Sequence, residues 1–214
     1  MGLGALNQLA VTHAHTPSAV RPFFLTFRGT TYQSPEEAGA GRTRLLDLVH
    51  LNTPAKRIVV AVQCHKIHGK HKLPAYSDRC SAYDEAMRLV PAYTTLLNTT
   101  FALVPGGRQP ASFRLNEVIA VGAIPVFISG DKDTTRPYVL PFDGILDWGK
   151  FCFHFSWDTP AREIVTALLR VDGKQLSIMQ KHVRHAWNDC LRPTQSSKQF
   201  YYLLERRARR GVRR

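Results

Sequence analysis

The chain has 214 residues, enough for one well-buried core and a short appendage. Hydrophobic residues make up 44% of it at a mean hydropathy of -0.20, and no stretch approaches the ~18 consecutive apolar residues of a membrane span. The net charge of +13 invites a nucleic-acid role, but six of those charges are Arg206, Arg207, Arg209, Arg210, Arg213 and Arg214, within the last nine residues. Such a tail is either simply solvated or binds polyanions with little selectivity, and nucleic acid is not an expected partner.

In chain order, residues 1–20 alternate small, polar and His residues and are expected to be irregular. They lack the charged start and apolar stretch of a signal peptide, so a secretory targeting segment is expected to lie outside this sequence. Short apolar runs follow at Phe23–Phe27, Ile58–Val62, Phe101–Val104, Ile124–Ile128 and Phe151–Phe155. They are rich in Val, Ile or Phe, as buried strands are. Helical spacing fills the intervals. Arg44–Leu51 aligns Leu45, Leu48 and Val49. Asp84–Leu97 aligns Met87, Val90, Tyr93 and Leu97, with Pro91 as a kink or break. Ser112–Val121 opens on a Ser cap and closes at Gly122, and Thr159–Leu169 opens on a Thr159 cap followed by Pro160. Leu176–Leu191 is the last helix, and residues 192–214 form the basic tail. Alternation of this kind predicts one α/β domain over residues 21–191. Its sheet is mostly parallel, helices cover both faces, and ligands sit at the carboxyl ends of the strands.

The stretch richest in binding chemistry is Phe101–Ile128: strand, Gly-rich turn, helix, strand. Gly106 and Gly107 let a ligand approach the backbone, Arg108 adds a cation suited to phosphate, and Ser112 opens a helix whose N-terminus favours anions. Arg114 and Glu117, three residues apart, share one face of that helix. Cations for a diphosphate and a carboxylate for ribose hydroxyls would serve a nucleotide; alone, an Arg/Glu pair at this spacing is more often a surface ion pair.

In order along the chain stand Tyr93, Leu96, Leu97, Thr99 or Thr100, Phe101, Leu103, Pro105 and Gly107. Ser112, Arg114, Glu117, Ile124, Pro125 and Val126 follow, then Leu140-Pro141-Phe142 and Asp147-Trp148. With the upstream FRGTTY at Phe27–Tyr32 and the CHKIHGKHK…DRC segment, this order resembles the exostosin family of glycosyltransferases, the animal-type heparan-synthesising members above all. The resemblance covers about Arg21 to Leu191. It implies the C-terminal, donor-binding half of a GT-B architecture, with a UDP-sugar held at Gly107, Arg108, Ser112, Arg114 and Glu117 and a glycan as acceptor. It also implies inverting transfer, with UDP-glucuronic acid as leading donor, no tightly bound cofactor, and any divalent ion carried without protein ligands. The expected setting is the Golgi or endoplasmic reticulum lumen, on a membrane anchor outside this chain and beside a second exostosin-like subunit. Family members often carry Arg where this chain has Gly106 and Gln109, so the diphosphate is held by fewer cations here. A catalytically inactive partner domain and a basic polyanion-binding module are the competing readings.

The resemblance further implies a Cys64–Cys80 disulfide. It also places cysteines at the positions of Ala102 and Ala123, which this chain lacks, and leaves Cys152 and Cys190 as buried thiols. A sequon at Asn98-Thr99-Thr100 agrees with a lumenal protein. Two metal-like clusters are discounted. Cys64, His65, His68 and His71 share their stretch with Lys56, Arg57, Lys66, Lys70 and Lys72, which repel a divalent cation. Asp131-Lys132-Asp133 carries a central cation and is expected to be a solvated loop. No metal-binding residues are therefore assigned, and neither is a catalytic base.

Overall fold

The computed structural model describes residues 13–31, 40–64, 78–106, 113–129 and 140–197. Five strands form one all-parallel sheet: β1 (Phe23–Thr31), β2 (Ile58–Cys64), β3 (Thr99–Pro105), β4 (Ile124–Ile128) and β5 (Phe153–Phe155). Their order is β2-β1-β3-β4-β5. The helices are α1 (Asp78–Leu89), α2 (Tyr93–Leu96), α3 (Phe113–Ala120), α4 (Ala161–Leu169) and α5 (Gly173–Ala186). A 3-10 segment covers Ala40–Leu51 and a π-turn, Trp187–Leu191, continues α5. This is the parallel α/β layering that the strand and helix periodicities predict, Rossmann-like as the resemblance implies.

Every residue of β3 and of β4 is buried, as expected of central parallel strands covered on both faces. Phe101 at the centre meets Phe24 and Phe153 edge-on at 5.2 and 5.8 Å between ring centroids. Each full burial of such an apolar side chain stabilises by roughly 1.5–3 kcal/mol. The helices contribute stripes: Ile164, Val165 and Leu168 from α4, and Met179, Gln180, Val183 and Ala186 from α5.

Several element boundaries differ from those the sequence suggests, each for a local reason. Pro91 does break the Asp84–Leu97 pattern, and α1 begins earlier, at Asp78. No side-chain cap opens α4: Pro160 occupies the cap position with extended backbone, so Thr159 is not the cap. In α5 the cap is Asp172, whose carboxylate accepts from the Gln175 N–H at 2.7 Å, so this helix starts three residues before Leu176. Gly122 ends α3 at φ 70°, where a Cβ would lie 2.7 Å from the Ala14 carbonyl oxygen. The segment before β1 packs there: the Arg21 guanidinium donates to the carbonyls of His13, Thr16, Thr99 and Val121. Burial lowers its pKa to about 10.

Cys64 and Cys80 form the disulfide, Cα atoms 5.5 Å apart, joining the end of β2 to α1. The enclosed loop predicts that opening it, by a Cys64→Ser/Cys80→Ser pair, costs ~3 kcal/mol of stability. A denaturation midpoint unchanged by the pair of substitutions would contradict this. Cys152 and Cys190 are free. Cys190 is buried, while Cys152 is half-buried and its thiol is pushed up to about 12, first by burial and then by Asp147.

Lys56 and Arg57 immediately precede β2, and Cys64 ends it, about 20 Å away along the strand. Residues 65–72 and 131–133, with both discounted clusters, lie outside the described residues apart from Cys64. Among the described residues no group of three or more His, Cys, Asp or Glu is placed to hold a metal ion, and no helix is long and apolar enough to cross a membrane.

Candidate functional site

The chain runs from β1 to β2 in one direction across the sheet and then, from β3 onward, in the other. The switch point of this topology is therefore the gap between β1 and β3, whose carboxyl end is where open α/β sheets bind ligands. The ladder register shows how that gap is made. β1 and β3 pair only from Phe23↔Thr99 to Thr26↔Ala102. Beyond that, β1 continues with β2 as far as Thr31↔Cys64, and β3 with β4 as far as Pro105↔Ile128. The two central strands thus part over their last residues and leave unladdered backbone carbonyls facing the split.

Arg114 fills the split. Its Nε donates to the Leu103 carbonyl at 2.7 Å, and its terminal nitrogens reach the Arg28 and Thr26 carbonyls at 3.4 and 3.5 Å. The guanidinium carbon lies 5.1 Å from each of the Phe27 and Tyr93 ring centroids. Only 8% of the residue is exposed, and burial pushes its pKa down. Arg114 therefore stitches β1 to β3 where their ladder stops, with its named donors spent on main-chain carbonyls.

Glu117, one turn further along α3, is half-buried and accepts a short hydrogen bond from the Tyr93 hydroxyl at Oε2. The Tyr93 phenol is pushed up, chiefly by burial, with Glu117 adding to it and Arg114 opposing. The arrangement aligns a carboxylate beside the split, held from behind by a phenol that itself stacks near a buried cation. In the sequence Tyr93 stands as a helix-face residue and a motif position, and its orienting role shows only in the hydrogen bond to Glu117.

The other side of the split is bridged by Arg42, whose terminal nitrogens donate to the Thr30 carbonyl at 2.7 Å and the Gly106 carbonyl at 3.2 Å. A guanidinium thus spans the carboxyl ends of β1 and β3, a placement that nothing in the polar segment around Arg42 announces. Gly106 in turn donates to the Ile128 carbonyl at 2.9 Å, tying the turn after β3 to the end of β4. A Cβ at Gly106 would meet nothing nearer than 3.6 Å, so the fold does not require glycine there. Gly107, Arg108, Gln109 and Ser112 lie outside the described residues.

Beside Ile128 a cleft of ~330 Å³ opens at the same end of the sheet, between the 3-10 segment and the start of α4. Arg44, Asp47, Trp157, Asp158 and Thr159 line it, and Arg44 and Asp158 pair across it at 3.4 Å. Ser129 Oγ and His154 Nε2 stand 2.6 Å apart at the exit of β4. On the other face, Phe142 is held at φ 56°, and its carbonyl accepts from Ile145 and Leu146. The Pro141 carbonyl takes the Trp148 indole N–H at 3.1 Å, so the Leu-Pro-Phe and Asp-Trp motifs form one folded unit. Asn98 sits in the turn before β3, its Oδ1 enclosed and without a partner, while Thr100 is buried with its hydroxyl on the Ser18 carbonyl.

The family model described as Exostosin GT47 domain matches residues 5–170. Exostosin-1 of Drosophila melanogaster is 35% identical over 133 residues, 61% of this chain and 15% of that protein. The Exostosin-1 homolog of Caenorhabditis elegans is 27% identical over 175 residues, covering 82% of this chain and 42% of its own length. Exostosin-1a of Danio rerio is 30% identical over 128 residues, 60% of this chain and 16% of that protein. Among solved structures, the catalytic domain of starch synthase IV from Arabidopsis thaliana, bound to ADP and acarbose, aligns over 95% of this chain and 43% of its own. Its TM-score is 0.47, at 11% identity. The chain thus spans less than half the length of each of these relatives. The chain belongs to the exostosin GT47 family of glycosyltransferases.

Proposed function

We propose that this chain is the donor-binding half of an inverting GT-B glycosyltransferase, taking a UDP-sugar and passing the sugar to a hydroxyl of a heparan-type glycan. UDP-glucuronate is the leading donor. The observation that carries this reading is the split between β1 and β3, with Arg42 and Gly106 on one rim and the Tyr93-oriented Glu117 on the other. A carboxylate so placed accepts from ribose hydroxyls. The cation and the Gly-rich turn suit a diphosphate, whose charge grows as the glycosidic bond breaks. Arg108 and Ser112, by sequence between β3 and α3, add a cation and a hydroxyl suited to the same phosphates. The cleft beside Ile128 is of a size for a sugar ring, with Trp157 to pack against it and Arg44 as its cation. A divalent ion, where present, travels on the diphosphate rather than on side chains. The acceptor and the base that deprotonates it come from a facing domain, so the chain alone binds nucleotide without transferring sugar. The lumen of the Golgi or endoplasmic reticulum, an anchor elsewhere in the protein and a second exostosin-like subunit complete the proposal.

Gly106 favours the alternative of a catalytically inactive partner domain, because a Cβ there would meet only ordinary contacts with Ile128 and Ser129, so packing does not impose the loss of a cation. Both readings are tested by calorimetric titration of UDP into the chain and into a Gly106→Arg variant. The donor reading expects binding, strengthened about tenfold by the added charge-assisted contact. No heat and no saturation with either protein would reject it.

A further inference from the structure

At the amino ends of the strands, opposite the split, lies a groove of ~360 Å³ between the segment before β1, the turn before β2 and the loop joining α4 to α5. Its lining holds three cations, Arg21, Lys56 and Arg57, and no carboxylate. The two exposed cations are positioned rather than loose. Lys56 Nζ lies 5.1 Å over the Phe24 ring and the Arg57 guanidinium 4.7 Å over the Phe23 ring. A backbone hydrogen bond from Phe24 to the Arg57 carbonyl at 2.8 Å and the Thr53–Lys56 bridge fix the turn that carries them. Arg21 behind them is buried against carbonyl groups and adds positive potential to the floor.

We propose that this groove binds an anionic polysaccharide, through carboxylates repeated along one chain, at a site separate from the nucleotide crevice. Phe23 and Phe24 are successive residues at the start of β1, and each carries one of the two exposed cations. Two fixed cations, with no carboxylate among the lining residues, suit charges repeated along a polymer. The ring faces are covered by the cations and are not open to stacked bases, which disfavours nucleic acid. The inference rests on the glycan-acceptor reading for its choice of polymer. A growing chain held at the amino end while its tip reaches the carboxyl end must be long enough to pass along the sheet, so short oligosaccharides are expected to gain nothing from the groove.

The test titrates defined oligosaccharides that alternate glucuronate with N-acetylglucosamine, in short and long forms, into the full chain and into a Lys56→Glu/Arg57→Glu variant. Both are measured with and without Arg206–Arg214. Both substituted residues are exposed, so folding is expected to hold, and circular dichroism checks it. The expected result is at least a tenfold loss of affinity for the long form in the variant, persisting after tail deletion, with UDP affinity unchanged. Equal binding by variant and parent, or binding abolished by tail deletion alone, overturns the proposal. Equal protection of the groove by a single-stranded nucleic acid of matched charge overturns the choice of glycan. Failure of UDP to bind would reject the donor reading while leaving the groove measurable on its own.

Discussion

Arg114→Ala is expected to destabilise the fold by ~3–5 kcal/mol, the range for removing one partner from a buried charged network. Truncation strips the Leu103 carbonyl of its hydrogen bond and leaves the Thr26 and Arg28 carbonyls without the cation that faces them. Each buried acceptor left unsatisfied costs roughly 1–3 kcal/mol. The Phe27 and Tyr93 rings lose a cation contact worth ~0.5–2 kcal/mol each, and a void replaces the planar guanidinium. Against these stands relief from holding a charge in a dry site, which is why the expected net lies below the sum. Arg114→Lys is not expected to restore stability, because a compact ammonium cannot span carbonyls contributed by two separate strands. Urea denaturation of the variants decides it. An unchanged midpoint accompanied by lost UDP affinity would make Arg114 a ligand contact and not the stitch between β1 and β3.

The layered architecture was legible because its signals are local. Runs such as Ile124–Ile128 carry strand character in their own composition, and a strand buried on both faces needs no alternation to be recognised. The Gly122 stop and the Pro91 break were legible for the same reason: each rests on the backbone limits of one residue. What escaped the sequence depends on register between distant segments. That β1 and β3 part after Thr26↔Ala102 is invisible in either strand alone, and without it Arg114 looks like half of a surface ion pair with Glu117. In the structure it is a buried cation serving main-chain carbonyls, and the partner of Glu117 is Tyr93, 24 positions away. Arg42 escaped for a related reason, since its reach to Gly106 crosses 64 residues. Lys56 and Arg57 stand close to Cys64 in sequence, and the seven residues of β2 put them at the opposite end of the strand from it. The resemblance to exostosins supplied what spacing could not, the order of motifs that the family model matches over residues 5–170.

Glu117→Ala is expected to weaken UDP ten- to a hundredfold, the ~1.5–3 kcal/mol of a hydrogen bond to a charged group. The carboxylate is half-buried, and Tyr93 fixes one of its oxygens, Oε2. A carboxylate serving ribose hydroxyls is selective for them, so the wild-type chain is expected to bind 2′-deoxy-UDP less tightly than UDP. Glu117→Ala is expected to bind the two alike. Tyr93→Phe keeps the charge and loses only its alignment, which predicts a smaller loss of roughly fivefold, from a neutral donor worth ~1 kcal/mol. It is also expected to keep some preference for the ribose. Because Glu117→Ala leaves the Tyr93 hydroxyl buried without its acceptor, the fraction folded is measured first and the titrations are run where all variants are native. Calorimetry with both nucleotides then separates the roles. If Glu117→Ala retained the full preference for UDP over 2′-deoxy-UDP, the carboxylate would not be the ribose contact, and the Tyr93–Glu117 pair would belong to the scaffold of the split alone.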